Sequence, residues 1–321
     1  MIKVGIIGGA GYTAGELIRL IILHPEAELV SVVSRSHAGE SISKAHPDLS
    51  NWLEMNFDAD LQHDPDVVFL CSGHGNTKAV LGTFPMYDST KIIDLSADFR
   101  LKSDANKFVY GLPELNRAYI KTAQCVANPG CFATCIQLSL LPLAMHNLLE
   151  DDVHITAITG STGAGQNHSA TTHFSWRSNN ASVYKAFRHQ HLGEITQSVT
   201  QLQAGFTKHL HFIPMRGAFT RGILAASYVR SELSVSDAIN LYKEYYYEHP
   251  FVDVVDHSLD VKSVVNTNRA MIHLQKEGDQ LLMTGVIDNL LKGASGQAVQ
   301  NMNLMFGLEE TSGLKLKPGA F

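Results

Sequence analysis

The sequence predicts an α/β protein in which a doubly wound parallel sheet is followed by a second domain with a mixed sheet. Three observations support this fold class. A short apolar strand at the N-terminus leads through a glycine-rich turn into a helix and a second strand. Near-continuous apolar runs follow, as expected for parallel strands that are covered on both faces. Beyond residue 148 the pattern changes to further strands, a hairpin and further helices, which indicates a second domain.

The composition limits the classes of function. A chain of 321 residues with 45% hydrophobic residues allows two soluble domains of ordinary size. The formal net charge is −6, and the absence of Lys/Arg runs predicts neither a nucleic-acid nor a membrane partner. The N-terminus lacks the features of a signal peptide, and four cysteines do not form a disulfide framework, so we expect a cytoplasmic protein.

The first turn of the chain carries a candidate dinucleotide site. Residues 3–7 predict a buried strand, and a helix follows that ends at Pro25. Between them Gly8, Gly11 and Ala14 match a G-x-x-G-x-x-A variant of the dinucleotide fingerprint, which brings a pyrophosphate to a helix N-terminus. A glycine turn without a ligand does not explain three small residues at this spacing. The sequence therefore predicts a Rossmann-type domain.

The end of the second strand indicates which dinucleotide is bound. Residues 29–33 lead into Ser34, Arg35 and Ser36, where an NAD-binding domain usually places Asp or Glu for the ribose 2′-hydroxyl. Arginine can neutralise a 2′-phosphate, and both serines can donate to it. These residues predict NADP as the cofactor, with a solvated loop arginine as the alternative.

Two later apolar strands end in polar loops, at residues 72–76 and 96–100. In a doubly wound sheet, ligands bind beyond the carboxyl ends of the strands, so we expect both loops and the turn before Cys131 at one crevice. Arg100 is a candidate contact for an anion there. An ordinary surface salt bridge with Asp98 is the alternative.

Cys131 is the candidate nucleophile. The apolar run 125–127 ends at Asn128-Pro129-Gly130, and a helix-like run begins with the cysteine. Unpaired N–H groups and the positive end of the helix dipole favour a thiolate at such a position. There a free cysteine pKa near 8.5 falls to about 3.5–7.5. Gly130 is expected to leave space for approach to the sulfur. The alternative is a buried structural cysteine.

Further candidates follow residue 165. We interpret the polar segment 166–185 as an active-site loop, and a helix opens at His189-Gln190-His191. His191 and Glu194 lie at i,i+3, so the carboxylate can orient or charge the imidazole. A metal site built on H-x-H is the rival hypothesis. Because no H-E-x-x-H or C-x-x-C motif completes it, no metal is predicted.

The rest of the chain predicts a mixed α/β arrangement. The expected elements are strands 154–159, 210–213 and 223–228, helix 236–246, a hairpin of strands 271–274 and 281–287, and a final helix 294–308.

Motifs along nearly the whole chain carry a resemblance to a known family. They are Gly11 to Thr13, Asp94 to Arg100, Tyr110 to Leu115, Asn128 to Cys131, Gly163 to Gly165, His189 to Ile195, Arg221 to Leu224 and Asp288 to Ala298. In these residues the chain resembles the N-acetyl-gamma-glutamyl-phosphate reductases, arginine-biosynthetic enzymes related in fold and chemistry to aspartate-semialdehyde dehydrogenase. One departure is segment 182–188, where family members often carry a glycine-containing turn.

The resemblance implies an activity and a set of roles. The reaction is NADPH-dependent reductive dephosphorylation of N-acetyl-glutamyl 5-phosphate to the 5-semialdehyde through a cysteine thioester, with release of inorganic phosphate. Cys131 is then the nucleophile and His191 the acid–base residue, supported by Glu194. The implied substrate-binding residues are Arg100, Asn128, His189 and Arg221. The implied cofactor-binding residues, beyond those of the two motifs above, are Tyr12, Thr13, Gly163, Asn289 and Gly293.

The resemblance also implies a domain organisation. Residues 1–130 form an NADP-binding Rossmann domain that a C-terminal helix, 294–321, completes, and residues 131–293 form an α+β catalytic and dimerisation domain. A homodimer or homotetramer is expected. Two alternatives stay open: an aspartate-semialdehyde dehydrogenase-type enzyme and a non-catalytic NADP-binding redox sensor. The pairing of His191 with Glu194 argues against the sensor.

Overall fold

The computed structural model describes residues 1–84 and 88–319, and it separates into two compact units. The first unit contains Met1–Pro129 and Ala294–Lys315, and the second contains Gly130–Gly293 and the segment after Lys315. The predicted fold class is confirmed, because one unit is built on a parallel sheet and the other on a mixed sheet. No helix in the described ranges is long and apolar enough to cross a lipid bilayer.

Helices and strands alternate along much of the described part of the chain. The α-helices are α1 (Tyr12–Ile21), α2 (Thr77–Thr83), α3 (Pro113–Thr122), α4 (Cys131–Met145), α5 (Phe174–Arg177), α6 (His191–Leu202), α7 (Val235–Tyr245) and α8 (Gly296–Met305). The strands are β1 (Ile2–Ile7), β2 (Ala27–Val33), β3 (Val67–Leu70), β4 (Lys91–Asp94), β5 (Val109–Tyr110), β6 (Cys125–Ala127), β7 (Val153–Thr159), β8 (Ser182–Val183), β9 (Leu210–Arg216), β10 (Ile223–Arg230), β11 (Val252–Val255), β12 (Ala270–Glu277) and β13 (Gln280–Ile287).

The first unit has a parallel sheet with the strand order β2-β1-β3-β4-β6-β5. All four residues of β3 are buried, which explains why its sequence is a continuous apolar run rather than an alternating one. The chain leaves β1 for β2 on one side and returns to β3 on the other. The strand order therefore reverses between β1 and β3, which is where doubly wound sheets bind ligands.

The glycine-rich turn after β1 needs its small residues for different reasons. Gly8 has φ +87, and a Cβ there would lie 2.6 Å from the backbone carbon and oxygen of Cys71. At Gly9 a Cβ would lie 2.4 Å from the side chain of Val32. Gly11 has φ −83, and a Cβ on it would meet no atom within 4 Å. Packing therefore requires glycine at positions 8 and 9, whereas position 11 borders open space.

The second unit has a mixed sheet with the order β11-β12-β13-β10-β7-β9-β8. Buried and partly exposed residues alternate along β10, so this sheet has one covered face. Helix α4 packs on that face: a Cβ on Gly285 of β13 would lie 2.8 Å from Ser139 Oγ. Residues 132–144 of α4 are all buried, so this helix is the centre of the second core.

The C-terminal helix and the segment 166–185 differ from their predictions. A π-helical turn at Leu291–Ser295 precedes α8, which ends at Met305 and does not extend to residue 321. Gly307 ends it with φ +69, a left-handed conformation that a helix cannot continue through. The segment after Lys315 groups with the second unit instead of the first. Segment 166–185 is only partly a loop, because α5 and β8 lie within it.

We predict that Gly8→Ala destabilises the protein much more than Gly11→Ala does. The alanine at position 8 must take a left-handed φ and clash with the end of β3, so the free energy of unfolding should fall by about 2–4 kcal/mol. The alanine at position 11 should change it by less than about 0.5 kcal/mol. Urea unfolding followed by circular dichroism measures both. Equal losses in the two variants would contradict this account of the turn.

Candidate active site

Cys131 is the first residue of α4. The helix begins there because Gly130 is extended (φ −71, ψ 150) while its carbonyl already accepts the first helical hydrogen bond, from Thr134 N–H at 2.8 Å. The thiol is half-buried, whereas Cys135 one turn later is fully buried. The predicted position of the cysteine at a helix start is therefore confirmed. Any oxygen that faces this end of α4 meets the positive end of the helix dipole.

The other cysteines lie in surroundings that keep them protonated. All four cysteines fall within the described residues and are free thiols. Burial raises the pKa of Cys71 to about 12, and it raises the pKa of Cys125 and Cys135 as well. A thiol that stays protonated is a poor nucleophile. Cys131 is thus the candidate for thiolate chemistry.

The imidazole of His191 lies against the residue that precedes the cysteine. A Cβ on Gly130 would be 2.3 Å from His191 Nε2 and 2.6 Å from its Cε1. The space above Gly130 is therefore filled by the imidazole, and the expected open approach to the sulfur stays a prediction. Glycine is required here so that the acid–base candidate can lie next to the start of α4.

Glu194 contacts both parts of this arrangement. Its Oε2 accepts a hydrogen bond from Gly130 N–H at 2.9 Å, and its Oε1 lies 3.9 Å from His191 Nε2. The second distance is that of an ion pair rather than a hydrogen bond. Both side chains are buried, at 3% and 6% exposure. The carboxylate therefore holds the backbone in front of Cys131, a role that the i,i+3 spacing did not predict.

His189 is a neutral imidazole at working pH. Burial, with a smaller contribution from the charge of Lys185, lowers its pKa to about 4. Its Nδ1 accepts a hydrogen bond from His191 N–H at 3.2 Å, so the neutral ring carries its proton on Nε2. The two histidine rings meet edge to face, with centroids 4.6 Å apart. His189 therefore does not change charge between pH 5 and 8.

The opposite wall of the cysteine is backbone from the turn after β13. A Cβ on Gly293 would lie 2.8 Å from Cys131 Cβ, so this predicted cofactor residue contacts the nucleophile directly. The turn is held by Asp288, which is fully buried and accepts from the N–H groups of Leu290 and Leu291 at 2.8 and 3.0 Å. Arg221 pairs with both oxygens of this carboxylate, at 3.0 and 3.2 Å.

Two further predicted cofactor residues, Asn289 and Gly163, lie together in the second unit. Asn289 accepts from Gly222 N–H at 2.7 Å and donates to Thr162 Oγ1 at 3.0 Å. A Cβ on Gly163 would meet Thr159 Oγ1 at 3.4 Å. These contacts link the turn after β7 to the turn after β13. The assignment of both residues to the cofactor stays a prediction.

Asn128 and Arg100 form a buried network in the first unit. Arg100 is 5% exposed, and it donates from Nε to Asn128 O at 2.8 Å and from Nη2 to Leu95 O at 3.0 Å. Asn128 donates to Ala294 O at 3.0 Å and accepts from Asn301 Nδ2 at 3.0 Å. Arg100 is therefore buried rather than at the surface, and these side chains fix the backbone that leads into Gly130.

The two polar loops of the parallel sheet lie together, as predicted. Gly75 N–H and Thr77 N–H donate to the carboxylate of Asp98 at 2.6 and 3.0 Å. Ala97 N–H donates to His74 Nδ1 at 3.1 Å. The carboxyl ends of β3 and β4 are thus joined by side-chain to backbone hydrogen bonds.

The end of β2 presents a positive charge to solvent. Arg35 is largely exposed, with its guanidinium 3.6 Å from Asp60 and its Cζ 4.7 Å from the ring centroid of Phe84. Ser34 and Ser36 both place their hydroxyls near His37 Nδ1, at 3.3 and 2.9 Å. His37 and Asp60 were not predicted. Asp60 could not be, because it lies in a later segment that folds back on β2.

Helix α1 continues the glycine-rich turn. Tyr12 is exposed and Ala14 is fully buried. The carbonyl of Thr13 accepts a hydrogen bond from Ser295 Oγ at 2.8 Å, so the small residues before α8 allow a close approach to α1. The predicted turn, helix and strand therefore form one βαβ unit.

In residues 1–84 and 88–319, no group of three or more His, Cys, Asp or Glu side chains is arranged to hold a metal ion. His209 and His211, a second H-x-H pair, lie instead near Asp152, with His211 Nε2 2.9 Å from its Oδ2.

The parallel sheet, the mixed sheet and the cysteine–histidine pair define a class of protein. Residues 3–123 match the family described as semialdehyde dehydrogenase, NAD binding domain, and residues 131–289 match semialdehyde dehydrogenase, dimerisation domain. Solved structures of aspartate semialdehyde dehydrogenases share the fold. The enzyme from Vibrio cholerae has a TM-score of 0.73 at 13% identity and covers 96% of this chain and 98% of its own. That from Francisella tularensis has a TM-score of 0.70 at 16% identity and covers 95% and 100%.

More similar relatives identify the branch of this class. Proteins named N-acetyl-gamma-glutamyl-phosphate reductase are 57% identical in Bacteroides fragilis, 56% in Christiangramia forsetii and 56% in Flavobacterium johnsoniae, each over 100% of both chains. The chain belongs to the N-acetyl-gamma-glutamyl-phosphate reductase family, as the motifs predicted.

Proposed function

We propose that this protein reduces N-acetyl-glutamyl 5-phosphate to N-acetyl-glutamate 5-semialdehyde in arginine biosynthesis, with NADPH as the reductant. The observation that carries the proposal is the contact of His191 with Gly130, the residue before Cys131. Cys131 is the first residue of α4, and the chain belongs to this reductase family. The direct test is NADP-dependent oxidation of N-acetylglutamate 5-semialdehyde in the presence of inorganic phosphate. Aspartate semialdehyde, tested in parallel, distinguishes the alternative dehydrogenase.

The covalent step follows from the position of the thiol. In the proposed mechanism the Cys131 sulfur attacks the carbonyl carbon of the acyl phosphate, the C–O bond to phosphate breaks, and inorganic phosphate leaves with the bonding electrons. The N–H groups at the start of α4 stabilise the oxyanion that forms in this step. The thioester that remains is more electrophilic than a carboxylate. A bound reduced nicotinamide supplies the hydride for its reduction.

The two histidines take different parts. His191 is the proposed acid–base residue: it takes the proton of the thiol before attack and returns one to the sulfur when the C–S bond breaks and the aldehyde forms. His189, neutral throughout the working range, orients His191 by accepting its backbone N–H and lines the substrate site. Glu194 supports both groups because its carboxylate binds Gly130 N–H and lies at ion-pair distance from His191.

The proposed cofactor is NADP rather than NAD. The family model describes a domain that binds a nicotinamide dinucleotide, and the residues at the end of β2 support the phosphorylated form. Arg35 is exposed and its pairing with Asp60 is long, at 3.6 Å, so a 2′-phosphate can replace that partner. The open space at Gly11 is where the pyrophosphate is proposed to approach α1.

The two arginines that the sequence indicated as substrate contacts already bind groups of the protein. Arg221 is half of a pair with the buried Asp288, and Arg100 binds carbonyl oxygens. We propose that Arg221, Arg100 and Asn128 shape the substrate site mainly through the backbone that they hold. This leaves the anionic groups of the substrate in need of a further cation.

A homodimer or homotetramer is the proposed assembly, since the second unit matches a dimerisation domain. In β7 and β10 the residues on the uncovered face include His154 and Tyr228, whose rings stack with centroids 5.0 Å apart. Sedimentation velocity measures the oligomeric state.

A cytoplasmic location accords with a biosynthetic enzyme and is part of the proposal.

We predict that Cys131→Ser abolishes turnover and leaves NADPH binding intact, because a serine hydroxyl is a far poorer nucleophile than a thiolate. Cys135→Ser is the matched control, one helical turn away in a site that keeps its thiol protonated, and it should retain most activity. Steady-state rates and cofactor fluorescence titrations measure the two properties. Activity of Cys131→Ser within about tenfold of wild type rules out the covalent mechanism.

We predict that Arg35→Asp weakens NADPH far more than NADH. The introduced carboxylate repels a 2′-phosphate but can accept from a 2′-hydroxyl. The ratio of kcat/KM for the two cofactors should therefore shift towards NADH. Lys3, an exposed cation of the same unit, provides the control substitution Lys3→Asp, which should leave the ratio unchanged. An unchanged ratio in Arg35→Asp places the 2′-phosphate elsewhere.

We predict that replacing His191 and replacing His189 affect different kinetic constants. His191→Asn should lower kcat by about 10²- to 10⁴-fold, with Cys131 still open to an alkylating reagent. His189→Asn should act mainly on substrate KM. Because the pKa of His189 is about 4, replacing His189 should leave the shape of the pH profile of kcat between pH 5 and 8 unchanged. Glu194→Gln should be a weaker form of His191→Asn.

The opposite result would reverse the roles of the two histidines. If His189→Asn lowers kcat more than His191→Asn does, the acid–base role belongs to His189.

A further inference from the structure

Arg216 is a cation that neither the sequence motifs nor the comparisons assign. It is the last residue of β9, three residues beyond the predicted end of that strand. Its guanidinium carbon lies 4.9 Å from the centroid of the Tyr184 ring. Its Nε is buried and has no hydrogen-bond partner among the described residues. A buried N–H without a partner is uncommon and calls for an explanation.

A second arginine lies beside the first. Arg177 is 7% exposed and donates from Nη1 to the backbone oxygen of Arg216 at 2.7 Å. Its other hydrogen bonds go to the carbonyl of Asn180 at 3.1 Å and to the hydroxyl of Ser182 at 3.1 Å. Burial and the charge of Arg216 lower the pKa of Arg177. Arg177 therefore ties the segment around β8 to the end of β9 and adds positive charge there.

The charges of this pair are not balanced by the protein. In the described part of the chain, neither Arg177 nor Arg216 has a carboxylate within 4.0 Å, whereas three other arginines of the same unit each pair with an aspartate. Those pairs are Arg221 with Asp288 at 3.0 Å, Arg230 with Asp279 at 2.9 Å and Arg269 with Asp253 at 2.7 Å. Arginine cannot lose its proton to remove the charge. A partly buried guanidinium without a counter-ion is suited to bind an anion.

The ring contacts connect Arg216 to the nucleophile. Tyr184 meets His189 edge to face, with centroids 5.7 Å apart, and His189 meets His191, which lies against Gly130. Burial and then the charge of Cys131 raise the pKa of Tyr184 to about 12, with Arg216 opposing this shift. Tyr184 is therefore a neutral phenol within electrostatic reach of the thiol. The guanidinium lies on its ring, at the edge of the same cluster.

We propose that Arg216, stacked on Tyr184, binds an anionic oxygen group of the substrate, either a carboxylate or the transferred phosphate. This inference rests on the proposed function and adds to it the residue that anchors the substrate's charge. Tyr184 holds the guanidinium through the ring contact and a side-chain hydrogen bond. The remaining N–H groups of an arginine can meet two oxygens of a planar or tetrahedral anion. Arg177 is a positioning residue, because it holds the backbone of Arg216.

The test compares Arg216→Gln with Arg230→Gln. Arg230 lies in the same unit, is exposed and pairs at the surface, so it is the matched control for loss of one positive charge. The oxidative reaction is run with inorganic phosphate and semialdehyde varied separately. Arg216→Gln should raise KM for one of the two by about 10- to 100-fold, as for loss of a charged hydrogen bond, with kcat changed by less than about threefold. Arg230→Gln should leave both KM values unchanged.

The substrate whose KM rises identifies the anion. A rise for phosphate assigns the phosphate group, and a rise for the semialdehyde assigns its carboxylate. If neither KM rises above that of Arg230→Gln, the proposal is wrong. Thermal unfolding checks that the variant is folded. Should Arg216→Gln fail to fold, Arg216→Lys takes its place: it keeps the charge but loses the fork, and its KM should rise by about three- to tenfold.

A binding experiment separates this proposal from the proposed function. If the wild-type protein turns over neither semialdehyde, the proposed function fails, and calorimetric titration with inorganic phosphate and with glutarate, a dicarboxylate, still tests the site. Binding of one anion to the wild type and its loss in Arg216→Gln support the anion site. Equal binding to both proteins, or no binding to either, overturns it.

Discussion

The structure of the second unit depends on the close contact of the His191 imidazole with the α-carbon of Gly130. No side chain fits between them, so α6 and the start of α4 have one mutual position. Glu194 strengthens this position because it binds the N–H of the same glycine from the first turn of α6. A helix N-terminus tolerates a carboxylate there, and the dipole of α6 favours it. Two contacts from α6 thus act on one residue in front of the nucleophile.

The arginines fall into two groups: some hold the backbone, and others have a guanidinium that a ligand can reach. Where a guanidinium supports the backbone, a buried aspartate or a set of carbonyls receives its N–H groups, as Asp288 does for Arg221. The turn after β13 is formed around that aspartate, and it carries Gly293 against Cys131. Arg216 lacks such a partner, and this difference in environment, rather than residue type, marks it as available to a ligand. Arg35 is likewise open to a ligand, because it is exposed and its ion pair with Asp60 is long.

Much of the organisation could be predicted from local patterns. The βαβ unit, the position of Cys131 at a helix start and the mixed second sheet follow from apolar periodicity and from glycine and proline punctuation. Short or weakly patterned elements could not be recognised this way. Helix α3 has only four buried residues among its ten and a non-helical residue at Asn116, and β5 and β8 are two residues long. Segment 182–188 places Lys185 and Phe187 at positive φ, which nothing in their side chains indicates.

The sequence by itself determined which chemical groups this protein has and where its longer, strongly patterned helices and strands begin, since these depend on residue type and on neighbours a few positions away. It also determined the family, because the motifs are long. Only the tertiary structure decided what each group contacts. The filling of the space above Gly130 by His191, the neutral state of His189 and the uncompensated charge of Arg216 all depend on side chains brought together from distant segments. Burial and charge act through space, and a linear pattern does not contain those distances.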